Sequence, residues 1–150
     1  MTIGTRPLYE TNDNLSAEAW FIDGLCTLWE CGAWKLPLRY KLDYALSRGK
    51  SIKAFLEIKV RNYRKDAFED YMISMDKVLT ARRYSDFAKV PSLLAVEWLD
   101  ASGFIDLGTM KNFSLGFGGR TDRGDSEDTE PVVLIPISDF SCIDNVRNPR

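Results

Sequence analysis

Asp43, Glu57 and Lys59 are the residues whose types and spacing most directly suggest chemistry. A hard cation such as Mg²⁺ binds oxygen ligands and keeps several waters, so two carboxylates and a substrate phosphate are enough to hold it. A lysine two residues after a glutamate projects from the same face of a strand, where it can orient or help to deprotonate an attacking water. The main-chain carbonyl of Ile58 could add a neutral oxygen ligand. These residues predict a metal-assisted hydrolytic site for a phosphate-containing substrate.

Two predicted strands must bring these residues together. Residues 39–46 and 51–61 alternate apolar and polar side chains, which is typical of strands with one apolar face. So short a connection predicts an antiparallel hairpin, and pairing of Asp43 with Glu57 requires a loop of about five residues centred on Lys50. In this register both carboxylates share one sheet face with the lysine. Two facing carboxylates repel each other unless a cation lies between them, which favours a metal site.

The remaining elements are predicted from periodicity and turn residues. Apolar residues at helical spacing predict a first helix with one apolar face, formed by Leu15, Ala19, Ile22, Cys26 and Trp29. Residues 67–88 predict a second helix, with a new start at Ser74 as the alternative. Short strands are predicted at 93–99, 103–107, 112–117 and 132–137. The glycine-rich acidic run 118–130 predicts a flexible surface loop.

The composition limits the available chemistry. The 150 residues include no histidine, which excludes Ser-His-Asp and Cys-His nucleophiles and zinc sites with imidazole ligands. The three cysteines lack the spacing of a metal site or a disulfide framework, so we expect buried free thiols. The four tryptophans, Trp20, Trp29, Trp34 and Trp98, are expected in the core. We expect a single domain over residues 1–150, in the cytoplasm and without a membrane partner, because no apolar run reaches the roughly 18 residues of a span.

Positive charge is concentrated in the middle of the chain. Residues 34–90 contain 14 Lys or Arg and 7 Asp or Glu, whereas the whole chain has a formal net charge of −2. Such a segment is typical of a phosphate-binding surface, although ordinary solvated charge gives the same composition. The side chains that could grip a nucleic-acid backbone are Arg61, Arg64, Lys65, Arg82 and Arg83. Three interleaved tyrosines, Tyr63, Tyr71 and Tyr84, either stack on unpaired bases or pack at the edge of the core.

The segment from Asp43 through a glycine-containing turn to Glu57-Ile58-Lys59 resembles the core of the PD-(D/E)XK nuclease superfamily. Leu42 stands where the proline before the aspartate is usual. The resemblance implies an α/β, restriction-endonuclease-like fold, in which helices flank a central mixed β-sheet on an α-β-β-β-α-β core. The elements predicted above lack one strand of that core, which we expect after the second helix or displaced.

The same resemblance implies a function and further site residues. It implies a deoxyribonuclease that depends on Mg²⁺ or Mn²⁺, in which the two carboxylates and the carbonyl between Glu57 and Lys59 bind metal and the lysine activates water. Glu18 on the first helix matches a further acidic metal ligand of many members. Lys77 matches the catalytic polar residue on the helix after the ExK strand. Junction resolvases of this superfamily are dimers, which implies a homodimer that binds DNA by its shape or ends.

Two other functions remain open from the residues alone. Asp43 and the Glu57–Lys59 pair can be ordinary exposed charges, because such pairs are common and contribute little energy. The chain could then be a non-catalytic DNA-binding subunit that kept the fold, or a protein-interaction module whose basic segment binds an acidic partner. Asp43 and Glu57 carboxylates too far apart to share a metal would favour the non-catalytic subunit, and a lack of binding to nucleic acid of any shape would favour the interaction module.

Overall fold

Two helices and nine strands form the regular structure of the part of the chain that the computed structural model describes, residues 12–119 and 129–144. In chain order they are α1 (Asn12–Trp29), β1 (Gly32–Lys35), β2 (Tyr44–Arg48), β3 (Ser51–Val60), β4 (Asp70–Ser74), α2 (Met75–Ala88), β5 (Ser92–Glu97), β6 (Ser102–Asp106), β7 (Ser114–Gly119), β8 (Thr129–Pro136) and β9 (Ser141–Cys142). Short 3-10 helices lie at Leu38–Tyr40, Lys65–Ala67 and Ile137–Asp139. Neither helix of these ranges is long and apolar enough to cross a membrane.

Six strands form a mixed sheet in the order β1-β2-β3-β5-β6-β9. β1, β2 and β3 are antiparallel neighbours, whereas β5 runs parallel to β3. The order α1, three antiparallel strands, α2 and a parallel strand is the expected α-β-β-β-α-β core, so the predicted α/β fold is confirmed. The strand that the prediction lacked is β1, which precedes the hairpin rather than following α2. Its four residues, GAWK, do not alternate between buried and exposed positions, so no period of two marked it.

The segment before α2 is a strand and not the start of a helix. Residues 70–74 form β4, which belongs to a second sheet with the order β4-β8-β7. Tyr71 and Ile73 are buried and alternate with exposed neighbours, as in a strand. The predicted helix start at residue 67 is therefore wrong, and the alternative start at Ser74 is confirmed. The Ser74 hydroxyl accepts a hydrogen bond from the backbone N–H of Asp76 at 3.2 Å and so caps α2.

The main sheet has a hydrophobic core on each face. One core lies under α1 and comprises Phe21, Ile22, Leu25, Cys26, Cys31, Ala33, Tyr44, Leu46, Ala54, Leu56, Ile58 and Ala95. The other lies between the main sheet, α2 and the second sheet and comprises Leu42, Tyr71, Ile73, Val78, Ala81, Leu94, Val96, Trp98, Leu107, Met110, Val133, Ile135 and Phe140. Central strands with both faces covered are normally apolar throughout. A charged side chain buried on such a strand therefore requires a specific reason.

Two of the four tryptophans lie outside these cores. Trp98 is fully buried and Trp29 is half-buried, but Trp20 is 75% exposed and Trp34 is 51% exposed. Their predicted burial is wrong for a geometric reason in each case. On α1, the buried face includes Phe21 but not the adjacent Trp20. Trp34 lies on β1, which is an edge strand of the sheet, and its side chain is half exposed.

The hairpin of β2 and β3 is present, but its turn is tighter than predicted. Arg48 pairs with Ser51, so two residues connect the strands. Gly49 has a φ of 59°, the left-handed conformation that such tight turns require and that glycine adopts without strain. The predicted five-residue loop centred on Lys50 is therefore wrong.

A β-bulge restores the predicted register near the carboxylates. The pairing shifts by one residue between Leu46 and Ser47, which leaves Lys53 of β3 without a partner on β2. This extra residue compensates for the shorter turn. Continued one position beyond the last pair, the register sets Asp43 opposite Glu57, as the sequence predicted.

The predicted acidic loop over 118–130 begins and ends inside strands. Gly119 of β7 pairs with Thr129 of β8, and both strands join the second sheet. Residues 120–128, which make up the rest of the predicted loop, lie outside the described residues. The free thiols of Cys26 and Cys31 are buried as expected, whereas Cys142 is exposed.

Candidate active site

Asp43 directly precedes β2 and is held by contacts with both neighbouring strands. Its backbone N–H donates to the carbonyl oxygen of Leu56 at 3.1 Å, and its Oδ2 accepts a hydrogen bond from the backbone N–H of Ile58 at 2.9 Å. On the other side, Lys35 Nζ of β1 lies 3.5 Å from Oδ1. The Asp43 side chain is 26% exposed. The carboxylate is thus fixed in position and still accessible to a ligand.

Glu57 lies on β3 with its side chain directed towards α2 and is 1% exposed. Lys77 Nζ lies 3.3 Å from Oε2 and 3.4 Å from Oε1, and Lys59 Nζ lies 3.4 Å from Oε2. Despite these two ammonium groups, no described residue donates a hydrogen bond of good geometry to Oε2. Both ammonium groups lie at ion-pair distance from Oε2, so the buried charge is compensated even without a hydrogen bond of good geometry. Glu57 is thus a buried charged residue that two lysine side chains hold beside the predicted site.

The pKa of the Glu57 carboxyl is raised above its ordinary value. Burial is the largest cause, and the negative charge of Asp43 is the second. Lys77 and Lys59 act in the opposite direction without cancelling these two effects. A cation bound between the carboxylates would favour the ionised form of both. The electrostatics of the pair therefore fit a cation-binding site.

Lys77 reaches the carboxylate because α2 begins beside the main sheet. The cap at Ser74 starts the helix, and Lys77 lies in its first turn. Besides its contact with Glu57, the ammonium group donates a hydrogen bond to the carbonyl oxygen of Lys41. Lys41 has a φ of 65° in the turn before β2, so Lys77 ties α2 both to β3 and to the segment that leads to Asp43. The structure thus places Lys77 against the predicted metal ligands.

Asp43, Glu57 and the carbonyl of Ile58 are the groups that could hold a metal ion. The N–H and C=O of one strand residue point to the same side, so the Ile58 carbonyl is directed to the side on which its N–H meets Asp43. Glu18 is half-buried on α1 and lines a cavity together with Lys59. In the described ranges, however, no three Asp, Glu, Cys or His side chains come close enough to hold a metal by themselves. Water and a substrate phosphate would complete the ligand set.

An open cavity of about 1060 Å³, here called the Lys59 cavity, adjoins the site. It is lined by Ala17, Glu18, Lys59, Val60, Arg61, Asn62, Tyr63, Phe68, Glu69, Asp70, Met72, Leu99 and Leu134. The cavity lies at the end of β3, beyond Leu56, which is the last residue of that strand in its pairing with β2. A substrate can therefore reach the lysine of the triad from solvent.

The predicted phosphate-binding residues that follow the triad differ in their partners. Arg61 lines the Lys59 cavity, and its Nη2 donates a hydrogen bond to the hydroxyl of Tyr71 at 2.8 Å. Arg64 Nη2 lies 3.3 Å from Asp100, and the backbone N–H of Lys65 donates to the same carboxylate at 2.8 Å. Exposed ion pairs of this kind are weak, so a phosphate can compete for Arg64.

Arg82 and Arg83 of α2 have different surroundings. Arg82 Nε donates to the carbonyl oxygen of Leu107 at 3.1 Å, and its Nη2 donates to the carbonyl oxygen of Met110. The half-buried guanidinium therefore links α2 to the segment after β6. Arg83 is exposed. The structure thus shows Arg82 bound to two backbone carbonyls and Arg83 at the surface, and a contact of either residue with DNA stays a prediction.

The three tyrosines interleaved with these cations mainly pack against protein. Tyr71 is buried, and burial raises its pKa to about 12. The hydroxyl of Tyr84 donates to the carbonyl oxygen of Tyr40 at 2.8 Å. Tyr63 is half-buried and lines the Lys59 cavity. Of the two predicted roles, packing at the edge of the core is the one that Tyr71 and Tyr84 adopt.

A family of phage proteins matches the chain over most of its length. The family model described as phage putative PDDEXK endonuclease matches residues 4–143. The chain belongs to this family. Membership in the PDDEXK family confirms the superfamily that the Asp43, Glu57 and Lys59 segment resembles, and it supports endonuclease activity.

Among solved structures, this PDDEXK protein is similar to Hjc, a Holliday junction resolvase from Archaeoglobus fulgidus determined at 1.6 Å resolution. The TM-score is 0.54 with 16% sequence identity, and the match covers 90% of this chain and 98% of that chain. At this identity the likeness shows the fold, which is the restriction-endonuclease-like fold predicted from the sequence. No curated protein matches the chain.

Sequence reasoning missed two features of this PDDEXK site. Lys35 was not singled out, because its contact with Asp43 depends on β1, a strand that the pattern did not reveal. Phe68, Met72 and Leu99, which line the Lys59 cavity, were not identified either. The predicted helix over residues 67–88 included Met72, which lies on β4 instead. The sequence of residues 70–74, DYMIS, does not alternate between polar and apolar side chains, and the alternation appears only in their burial.

Proposed function

We propose that this PDDEXK protein is a deoxyribonuclease that requires Mg²⁺ or Mn²⁺ and hydrolyses phosphodiester bonds in DNA selected by shape or ends. The observation that carries the proposal is the geometry of the triad: Asp43 is fixed by the backbone N–H of Ile58 at 2.9 Å, and Lys59 Nζ lies 3.4 Å from Oε2 of the buried Glu57. The Asp43 carboxylate shares its electrostatic environment. Membership in an endonuclease family supports the same conclusion.

The metal would be held by Asp43, Glu57 and the Ile58 carbonyl. When bound there, a divalent ion neutralises the scissile phosphate and lowers the pKa of the attacking water. The protein prepares this site in advance, because Ile58 N–H fixes the Asp43 carboxylate and Lys77 fixes that of Glu57. Ligands that are already oriented need little rearrangement when the ion and the substrate bind.

Lys59 is the residue that would act on the attacking water. Its side chain is 37% exposed and lines the cavity, so it can reach both the carboxylate pair and solvent. A positive charge at this place orients a water molecule and stabilises the negative charge that develops on the phosphate oxygens. Lys77, which contacts Glu57 and a backbone carbonyl, is a positioning residue in this scheme.

The DNA backbone would lie along the basic side of the Lys59 cavity. Arg61 lines the cavity beside the catalytic lysine, and Arg64 and Lys65 extend the positive charge beyond β3. Contacts to phosphates alone give affinity and register without base recognition, which suits selection by DNA shape. Action as a homodimer stays a prediction from the resemblance.

Cleavage of a panel of DNA structures tests the proposal. Linear, nicked, single-stranded, flapped and four-way-junction DNAs are incubated with the wild-type protein in Mg²⁺, in Mn²⁺ and in EDTA. The expected result is metal-dependent cutting that is lost in Glu57→Gln, a variant of nearly the same shape without the charge. Salt-sensitive binding of every DNA without cutting would indicate a non-catalytic DNA-binding subunit. Neither cutting nor binding would favour a protein-interaction module.

A further inference from the structure

The Lys59 cavity has an apolar wall that phosphate hydrolysis does not require. Phe68 is 59% exposed, Met72 is 50% exposed and Leu99 is 56% exposed, and all three line this cavity. Scattered exposed apolar residues are normal, but apolar side chains gathered in a concave site with a few polar groups are typical of ligand pockets. The wall therefore indicates a group of the substrate that is flat or apolar.

The charges of the cavity indicate which part of a nucleotide meets this wall. Lys59 lies on β3 and Arg61 directly follows that strand, whereas Glu69 and Asp70 lie next to Phe68, where β4 begins. Glu18 of α1 is a third carboxylate of the lining. A phosphate is attracted to the two cations and repelled by the carboxylates of Glu69 and Asp70 beside Phe68. An uncharged base experiences no such repulsion, and its amino groups can donate hydrogen bonds to carboxylates. The phosphate and the base of one nucleotide thus fit opposite sides of the same cavity.

The ring of Phe68 contacts the ring of Tyr63 on one side and is otherwise largely exposed. Tyr63 and Phe68 have ring centroids 5.2 Å apart and planes at 89°. The carbonyl oxygen of Tyr63 accepts a hydrogen bond from the backbone N–H of Leu99 at 3.0 Å, which joins the two sides of the wall. An aromatic side chain that is oriented in advance and more than half exposed is a platform on which a base can stack.

We propose that the Lys59 cavity binds one unstacked nucleobase of the DNA, on the platform of Phe68, next to the phosphate that is cleaved. This inference rests on the proposed nuclease function and specifies its substrate class. A base inside an intact duplex cannot reach the platform, because extruding it requires unstacking and unpairing. The protein therefore prefers DNA with unpaired nucleotides beside the cleaved bond, such as a flap, a gap or a branch point.

An abasic scan tests this inference. A flapped DNA is prepared with one abasic residue at each successive position around the branch point, and single-turnover cleavage is measured for the wild type and for Phe68→Ala. Phe87→Ala is the matched control, because Phe87 is 90% exposed on α2 and does not line the cavity. Phe68→Tyr keeps an aromatic platform and serves as the rescue variant. Phe68 is largely exposed, so its replacement should leave folding intact.

We expect loss of one particular base to slow cleavage by the wild type about 10-fold, which is the effect of losing ~1.4 kcal/mol of stacking. The Phe68→Ala variant should cleave the intact flap more slowly to a similar degree, and loss of that base should not slow it further. The Phe68→Tyr and Phe87→Ala variants should behave as the wild type. If the protein cuts DNA but no abasic position slows its cleavage, this inference is overturned and the proposed nuclease function is not. A change of oligomeric state in Phe68→Ala would also overturn it, by making the wall a subunit interface. A wild type that cuts no DNA would overturn the proposed function as well.

Discussion

Lys77 Nζ lies 3.3 Å from Glu57 Oε2, so the first turn of α2 places a cation against a carboxylate of β3 that is 1% exposed. The contact crosses the core between the main sheet and the helix. A second ammonium group, that of Lys59, lies 3.4 Å from the same oxygen. Two cations around one buried anion make this carboxylate tolerable in a hydrophobic core.

Replacing Lys77 should destabilise the protein through its carboxylate partner. We expect Lys77→Met to lower the free energy of unfolding by ~1–3 kcal/mol at pH 8 in EDTA, because it removes a partner of a buried charge. Urea unfolding measures the change. In the Glu57→Gln background the same substitution should cost little, since the charge is absent. Lys41→Met removes an exposed ion pair with Asp76 and serves as the control, with an expected change below about 0.5 kcal/mol. Equal losses in both backgrounds would disprove the coupling.

Glu57 should make stability depend on pH in a defined direction. Burial, followed by the charge of Asp43, raises its pKa above the ordinary value of 4.5. The folded state therefore binds this proton more tightly than the unfolded chain does, and the associated stability is complete below pH 4.5 and lost as the pH rises through the folded pKa. In EDTA, Glu57→Gln should melt at a higher temperature than the wild type at pH 8 and at nearly the same temperature at pH 4. A lower melting temperature of the variant at pH 8 would contradict this account.

Metal binding should be measurable without any substrate. A ligand at 100 times its Kd stabilises the folded state by about 2.7 kcal/mol, which corresponds to a rise in Tm of roughly 5–10 °C for a chain of this size. We expect Mg²⁺ or Mn²⁺ to raise the Tm of the wild type but not that of Asp43→Asn or Glu57→Gln. Asp86→Asn, at an exposed position on α2, is the control and should respond as the wild type does. An equal rise in the Tm of Asp43→Asn would show that the ion binds at another site.

Substitutions of Arg82 and Arg83 should differ in their effects on the free energy of unfolding and on DNA binding. Arg82→Ala removes two hydrogen bonds from a charged group to backbone carbonyls and should lower the free energy of unfolding by ~2–3 kcal/mol, without changing the salt dependence of DNA binding. Arg83→Ala should leave stability within about 0.5 kcal/mol of the wild type. Urea unfolding and DNA titrations at several salt concentrations distinguish the two effects. A stable Arg82→Ala protein with weaker and less salt-dependent DNA binding would instead support the prediction that Arg82 contacts the DNA backbone.

The relative positions of the triad residues could be predicted because Glu57 and Lys59 lie on a strand whose period of two is clear in the sequence. Glu57 and Lys59 are two residues apart on a strand with a clear alternation, so their shared face followed directly from the pattern. The register with Asp43 was also predicted, although for an incomplete reason. A tighter turn and a bulge at Lys53 together give the offset that a longer loop alone would have given. Local pattern does not reveal such compensation.

The features that the sequence did not reveal depend on tertiary contacts. Arg82 is an arginine in a basic segment, as expected for a DNA-binding residue. Only the structure shows that its guanidinium donates a hydrogen bond to the carbonyl oxygen of Leu107. Trp20 is apolar, but its exposure depends on which stripe of α1 meets the sheet. The wall at Phe68 comes from segments distant in the chain, and no spacing rule connects them.

Single-turnover cleavage by Lys59→Met tests the central claim most directly. Lys53→Met is the matched control, since Lys53 is an exposed lysine at the bulge of the same strand and does not line the Lys59 cavity. With the preferred DNA in Mg²⁺, we expect Lys59→Met to cleave at least about 100-fold more slowly than the wild type, with nearly unchanged DNA affinity, because the loss concerns the chemical step. Lys53→Met should cleave as the wild type does. Cleavage by Lys59→Met at the wild-type rate would contradict the assignment of this site.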